Sequence, residues 1–305
     1  MGLYPPFSPF LFQINLFGLP IAVRWYGAII MSGAMFAAWL ASRRAVARGI
    51  DPDHIWNQLI LGLIMGIGGA RIYYVAFEWH RFAGDPISAL NLTTGGLAVH
   101  GSLIGAILSA LIYTRYAKLR FWEWVDMIVP GFLIAQGIGR WGNFFNQEAY
   151  GRPTTLPFGV RIDEDRRLPP YGDMQAYPAD TLFHATFLYE SLWNVTGGSL
   201  LLWADQRFGQ GAPAERRWLR PGDVLFLYGI IYSMGRYWIE GLRTDSLCLN
   251  GVGGDCAGSI RVAQLISLVL IAACAAAMVV NHRRPLSPEP TTDELRQDGG
   301  QTLPG

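Results

Sequence analysis

Seven windows of about twenty residues are nearly free of charge, and that is the helical length needed to cross about 30 Å of hydrocarbon. Inside a bilayer every backbone N–H and C=O must be paired within the protein, so such windows have to be helices. The composition agrees: 51% of the 305 residues are hydrophobic and only 15% are charged, against about 25% in an ordinary soluble domain. The expected fold class is an all-α polytopic membrane protein with seven transmembrane helices. A net charge of +1 provides no overall field toward nucleic acid, and no nucleic-acid partner is expected. No Lys or Arg precedes Arg24, so the start lacks the positive region of a cleavable signal peptide.

The windows fall at about 23–41, 55–77, 96–114, 124–146, 182–203, 221–240 and 260–280. The stretch before the first is apolar but broken by prolines, and it reads as lying along a surface. Taking alternate connections, one side collects Arg43, Arg44 and Arg48; Arg115, Lys118 and Arg120; Arg207, Arg216, Arg217 and Arg220; and Arg283, Arg284 and Arg296. These are thirteen of the 24 basic residues. The excess marks the cytoplasmic side. The expected topology has the N-terminus outside and the C-terminus inside, with residues 1–284 as the seven-span transmembrane domain. An extracytoplasmic arm is expected over about 147–181, and a disordered cytoplasmic tail over 285–305.

The fourth window is the unusual one. Its last third and its exit carry Arg140, Asn143, Asn146, Gln147 and Glu148. A guanidinium near a membrane interior is costly unless something polar meets it, and such groups mark pathways or sites. On the expected topology the other odd residues share this outer side: Tyr26 at the first window, Arg71 in the second, His100 in the third, and Arg236, Glu240 and Arg243 at the sixth. Arg140, Asn143 and Gln147 have helical spacing for one face, as do Arg236, Glu240 and Arg243. Two arginines around one glutamate leave a surplus positive charge. A phosphate would match it, because planar guanidinium donors fit its oxygens in pairs. His100 has two readings, a packed ring or a proton acceptor near neutrality. Cys248 and Cys256 share a Gly-rich loop and read either as a disulfide or as two free thiols; Cys274 is helix filler. No His, Cys, Asp and Glu spacing suggests a metal, and no cofactor is expected.

The run Gly139–Gly151, GRWGNFFNQEAYG, resembles the signature of the prolipoprotein diacylglyceryl transferase family of the bacterial inner membrane. RWYG at 24–27, GGAR at 68–71, HGS at 100–102 and RYWIEGLR at 236–243 are similar to further elements of that family, in order. The sequence departs from it at HATFLYE, 184–190, where Ala185 replaces the usual proline. The loop GVGGDCAG has no counterpart in the family's chemistry.

The resemblance implies transfer of the sn-1,2-diacylglyceryl group of phosphatidylglycerol to the lipobox cysteine of a prolipoprotein signal peptide. A thioether forms and glycerol-1-phosphate leaves. It implies that Arg140 and Arg236 hold the phosphate and that Asn143 and Asn146 position glyceryl or ester oxygens. Glu148, Glu240 and Gly151 would maintain the site, Tyr26 would line the substrate path, and His100 would be the simplest general base. Arg71 and Arg243 join the substrate-binding set. The expected location is the bacterial inner membrane, multi-pass in the bilayer, with the site facing outward. A transporter or channel for an anionic lipid or other anion is the alternative. It is weakened by the lack of an internal repeat and by polar groups that favour one face.

Overall fold

Runs of Leu, Ile, Ala and Met between loops rich in Gly, Pro and Arg fold into seven long helices in a computed structural model. It describes residues 2–6, 8–16, 19–92, 95–251, 253–254, 256 and 259–285. The helices are α1 (Trp25–Ala47), α2 (Asp53–Phe77), α3 (Val99–Tyr116), α4 (Phe121–Asn146), α5 (Thr186–Phe208), α6 (Asp223–Glu240) and α7 (Val262–Arg283). By length and hydropathy, α1, α2 and α7 are apolar enough to cross a membrane. The expected tail lies outside the described residues apart from Pro285.

The all-α expectation needs correction, because three short antiparallel ribbons accompany the helices. Strands β1 (Phe10–Leu16) and β2 (Leu19–Arg24) form a hairpin where the sequence suggested an irregular surface segment. Val23 and Arg24 therefore belong to a strand, and α1 begins at Trp25. Strands β3 (Val160–Arg161) and β4 (Leu182–Phe183) pair within the arm, and Leu3 adds beside β3. Strands β5 (Ser246–Leu247) and β6 (Gly253–Gly254) lie beside a disulfide between Cys248 and Cys256.

Small residues bring the helices together where lipid supplies no hydrophobic drive. A Cβ on Gly101 would fall 2.1 Å from the carbonyl oxygen of Gly69, and one on Gly105 would fall 2.1 Å from that of Met65. The α2–α3 contact thus depends on glycine. At the other end of the bundle, carboxylates tie helices. Asp126 of α4 accepts hydrogen bonds from the backbone N–H of Gly222 (2.6 Å) and Leu225 (2.9 Å), satisfying donors at the start of α6. Arg44 belongs to α1 rather than a loop, and it and Arg48 both pair with Asp205 of α5.

The arm carries its own core of Tyr150, Val160, Ile162, Tyr171 and Phe183, continuous with Phe144 and Phe187 of the bundle. Arg167 is buried there and donates to the carbonyls of Ile162 and Tyr177 at 3.0 and 2.7 Å. The charged run RIDEDRR, 161–167, is exposed at Arg161 and over Glu164–Arg166, while Ile162 and Arg167 are buried in the arm.

Candidate active site

The helical spacing of Arg140 and Asn143 puts both side chains on one face of α4, where Arg140 Nη1 lies 3.4 Å from Asn143 Oδ1. Asn143 and Asn146 each donate an amide N–H to Glu148 Oε1, at 2.8 and 3.2 Å. Gln147 departs from the expected face. Its backbone is left-handed (φ 54°), which ends α4, and its amide is turned toward Asp163 of the arm (2.7 Å). The helix exit is thereby fastened to the arm, with Glu148 turned back onto the asparagines.

Glu190, one turn into α5, draws the arginines together. Its carboxylate is 2.9 Å from Arg140 Nη2, 3.7 Å from Arg236 Nη1 and 4.0 Å from Arg243 Nη1, and the residue is only 3% exposed. Arg236 also meets Glu240 at 2.6 Å across one turn of α6. Helix α6 stops at Glu240, so Arg243 lies beyond it and is clamped by Asp245 through two hydrogen bonds of 2.8 and 2.6 Å. Burial would raise the Asp245 pKa, but the hydrogen bond and charge of Arg243 outweigh it and hold the carboxyl below its ordinary value. That pair stays fully charged near neutrality and is lost only as the pH falls through the lowered value.

The expected surplus of positive charge does not survive this geometry. Three guanidiniums face Glu190, Glu240, Asp245 and, through Asn143, Glu148. What remains is a polarity of arrangement. Glu190 and Glu240 are buried behind, while the Arg140 and Arg236 side chains keep 24% and 21% of their surface exposed. Distance also overstates pairing here. Arg236 Nη1 is buried and, despite the Glu190 carboxylate at 3.7 Å, makes no aligned hydrogen bond.

Arg140, Asn143 and Tyr26 form one end of a cavity of about 560 Å³ between α1, α2, α3 and α4. The Tyr26 ring packs on Gly142, where an added Cβ would meet Cδ2 at 2.6 Å and the Tyr26 backbone at 3.3 Å. Gly142→Ala should therefore push Tyr26 off α4 and cost about tenfold to a hundredfold in donor turnover. Kinetics beside a melting curve would check this, and wild-type turnover would show that the ring's position is immaterial. Gly151 sits where the chain crosses between His184 and Leu242; its N–H donates to the His184 carbonyl at 2.9 Å and it bridges to Arg243. Its part is to let strand segments meet beside Arg243.

Two expected members lie elsewhere. Arg71 donates to the carbonyls of Ser88, Ala89, Gly95 and Gly96 at 2.6–3.2 Å, so its charge fastens the α2–α3 connection. His100 is exposed at the start of α3, stacked on Tyr73 at 5.8 Å between ring centroids. No described contact joins it to the arginine cluster. Glu190 and Asp245 were missed as site residues. The signal for Glu190 was present in the sequence: a carboxylate in an apolar window requires a cation, and the only question was which. Among the described residues, no group of three or more His, Cys, Asp or Glu forms a metal-binding set.

Comparison with known proteins places these residues in a family context. A family model described as prolipoprotein diacylglyceryl transferase matches residues 11–280. A phosphatidylglycerol–prolipoprotein diacylglyceryl transferase of Chloroflexus aggregans is 69% identical over 299 residues, covering 98% of this chain and 97% of the relative. Enzymes of the same name from Synechococcus elongatus and Bacillus licheniformis are 44% and 41% identical. They cover 83% and 91% of this chain, and 81% and 93% of their own lengths.

Proposed function

This chain belongs to the prolipoprotein diacylglyceryl transferase family, and from that membership we propose that it moves the sn-1,2-diacylglyceryl group of phosphatidylglycerol onto the lipobox cysteine of a prolipoprotein. The carrying observation is that Glu190 gathers Arg140 and Arg236 while their side chains keep 24% and 21% of their surface exposed, with Arg140 at one end of a cavity between helices. A lipid phosphodiester fits the exposed guanidinium edges that the carboxylates leave uncovered.

The acceptor thiolate attacks the glyceryl carbon that bears the phosphate ester. A C–S bond forms, the C–O bond breaks, and glycerol-1-phosphate leaves with the electron pair. Charge gathers on the departing phosphate, where Arg140 and Arg236 are already oriented by Glu190 and Glu240. Preorganised donors of this kind account for the largest part of many rate enhancements. Asn143 and Asn146, held by Glu148, address the glyceryl and ester oxygens, and Tyr26 lines the way in. Arg243 and Gly151 brace the cluster from the loop side, while Arg71 acts through the connection it clamps.

The thiol proton goes to His100 in this scheme through intervening water, since no described contact joins the ring to the arginine cluster. A cysteine thiol has a pKa near 8.5, so alkaline medium performs the same deprotonation. His100→Gln is expected to lose most activity at pH 7 and to recover progressively as the pH rises past about 8.5. A pH-independent loss would remove His100 from the role of base.

The proposed setting is a seven-span bundle in the bacterial inner membrane, N-terminus outside, with the site below the outer leaflet. The distribution of Arg and Lys supports this. So does the Cys248–Cys256 disulfide between α6 and α7, a bond that belongs in an oxidising compartment. Purified protein, phosphatidylglycerol and a lipobox peptide should yield thioether-linked peptide and soluble glycerol-1-phosphate. An unchanged peptide together with anion flux across a vesicle would instead favour a transporter.

A further inference from the structure

The cavity that begins at Arg140 runs far beyond the reacting groups. Its lining extends from Tyr26 to Ala41 along α1 and from Arg140 back to Val125 along α4. Fifteen residue steps on each helix correspond to about 22 Å at 1.5 Å per residue. One leaflet contributes only about half of the 30 Å hydrocarbon core, so the cavity is deep enough for an acyl chain in extended form. Its middle is apolar, walled by Ile30, Ala34, Leu63, Phe132 and Ala135. Gln136 also lines it, but its amide oxygen accepts from the Tyr228 hydroxyl of α6 at 3.3 Å.

Near the inner end the character changes. Gln58 of α2 and Ser109 of α3 both line the cavity, and Gln58 Nε2 donates to Ser109 Oγ at 3.0 Å. Gln58 is 9% exposed, and its Oε1 is buried without a hydrogen-bond partner among the described residues. About one turn further in, Ile55, Tyr113, Trp124 and Met127 pack into a closed core. An apolar chain descending from the Arg140 end thus meets a bare acceptor just before a wall. That acceptor is already shut off from water, so a chain end pressed against the pair meets a polar, closely packed stop instead of further apolar space.

We infer that the Gln58–Ser109 pair is an acyl-chain ruler, which sets the longest fatty-acyl chain that the donor can carry at full rate. The inference rests on the diacylglyceryl-donor reading above and adds the residues that set its chain selectivity. Position 62 offers the opposing control. An added Cβ on Gly62, one turn outward from Gln58, would meet only Ser109 Oγ at 3.6 Å and Gln58 Nε2 at 3.9 Å, so a larger side chain there enters free space.

The test is competition between phosphatidylglycerols of increasing chain length for one lipobox peptide, with kcat/KM taken as ratios to a short-chain donor. Such ratios are independent of the fraction of folded enzyme in a preparation. The wild type should hold a level ratio up to a limiting length and then drop about tenfold. Gln58→Met, apolar and of similar size, should move the drop to longer chains. Gly62→Leu should move it to shorter ones. A profile without a drop, or a drop that either variant leaves in place, overturns the ruler. Failure of the wild type to use any phosphatidylglycerol would instead remove the donor reading on which it rests.

Discussion

Glu190→Gln lowers kcat/KM for phosphatidylglycerol by about 10²–10³, with a smaller change in KM for the acceptor peptide. The substitution keeps the side chain's size and deletes one charge at the point where three guanidiniums converge. Arg140 loses a carboxylate at 2.9 Å, Arg236 one at 3.7 Å and Arg243 one at 4.0 Å. Removing one partner of a buried charge pair typically costs about 3–5 kcal/mol, because the remaining charges stay buried and uncompensated. Here that cost divides between stability and position. The guanidiniums repel, turn toward Glu240, Asp245 or water, and no longer meet the phosphate together. Glu190→Asp keeps the charge but shortens its reach by one methylene, so it should fall between the two, at about a tenfold loss. Steady-state kinetics with both substrates varied, beside a melting curve, separate lost geometry from lost fold. Wild-type donor turnover in Glu190→Gln would mean that the cluster is not where the phosphate binds.

How much of this was readable in advance depended on range. The seven helices were legible because the length and apolarity of each window are local properties, and all seven starts lie within four residues of expectation. The first two residues of the first window, Val23 and Arg24, belong to β2, whose hairpin a broken apolar segment does not announce. Arg140 and Asn143 were legible for the same reason, being a polar insert at helical spacing. Gln147 was misplaced by a single left-handed residue, since one such φ cancels a periodicity argument. The charge balance was misjudged because Glu190 stands fifty residues from Arg140, and only the packing of α4 on α5 brings them together. Arg71 shows the converse. A charged residue in an apolar window was bound to have a partner, but backbone carbonyls of a nearby loop satisfied it as well as any ligand.

The same logic at the other end of the bundle gives the largest stability effect. Asp205, 1% exposed in α5, accepts from Arg44 Nη2 at 2.5 Å and also from Arg48, while Arg44 reaches the Met127 carbonyl of α4. One carboxylate thus holds α1, α4 and α5 at a level where Ala41, Ala45, Trp124 and Met127 are closely packed. Asp205→Asn is expected to lose about 3–5 kcal/mol, since two guanidiniums lose their counter-charge and one of them has almost no access to water. Unfolding in mixed micelles, followed by helical signal and by a tryptophan probe, measures this loss. The decisive comparison adds Arg44→Met to an Asp205→Leu background. Replacing a buried ion pair by apolar groups of similar volume is often neutral, so the double variant should recover much of what Asp205→Leu alone loses. Equal instability of single and double variants would mean that the carboxylate acts through its shape and packing, and that the charges of α1 contribute little to joining it to α5.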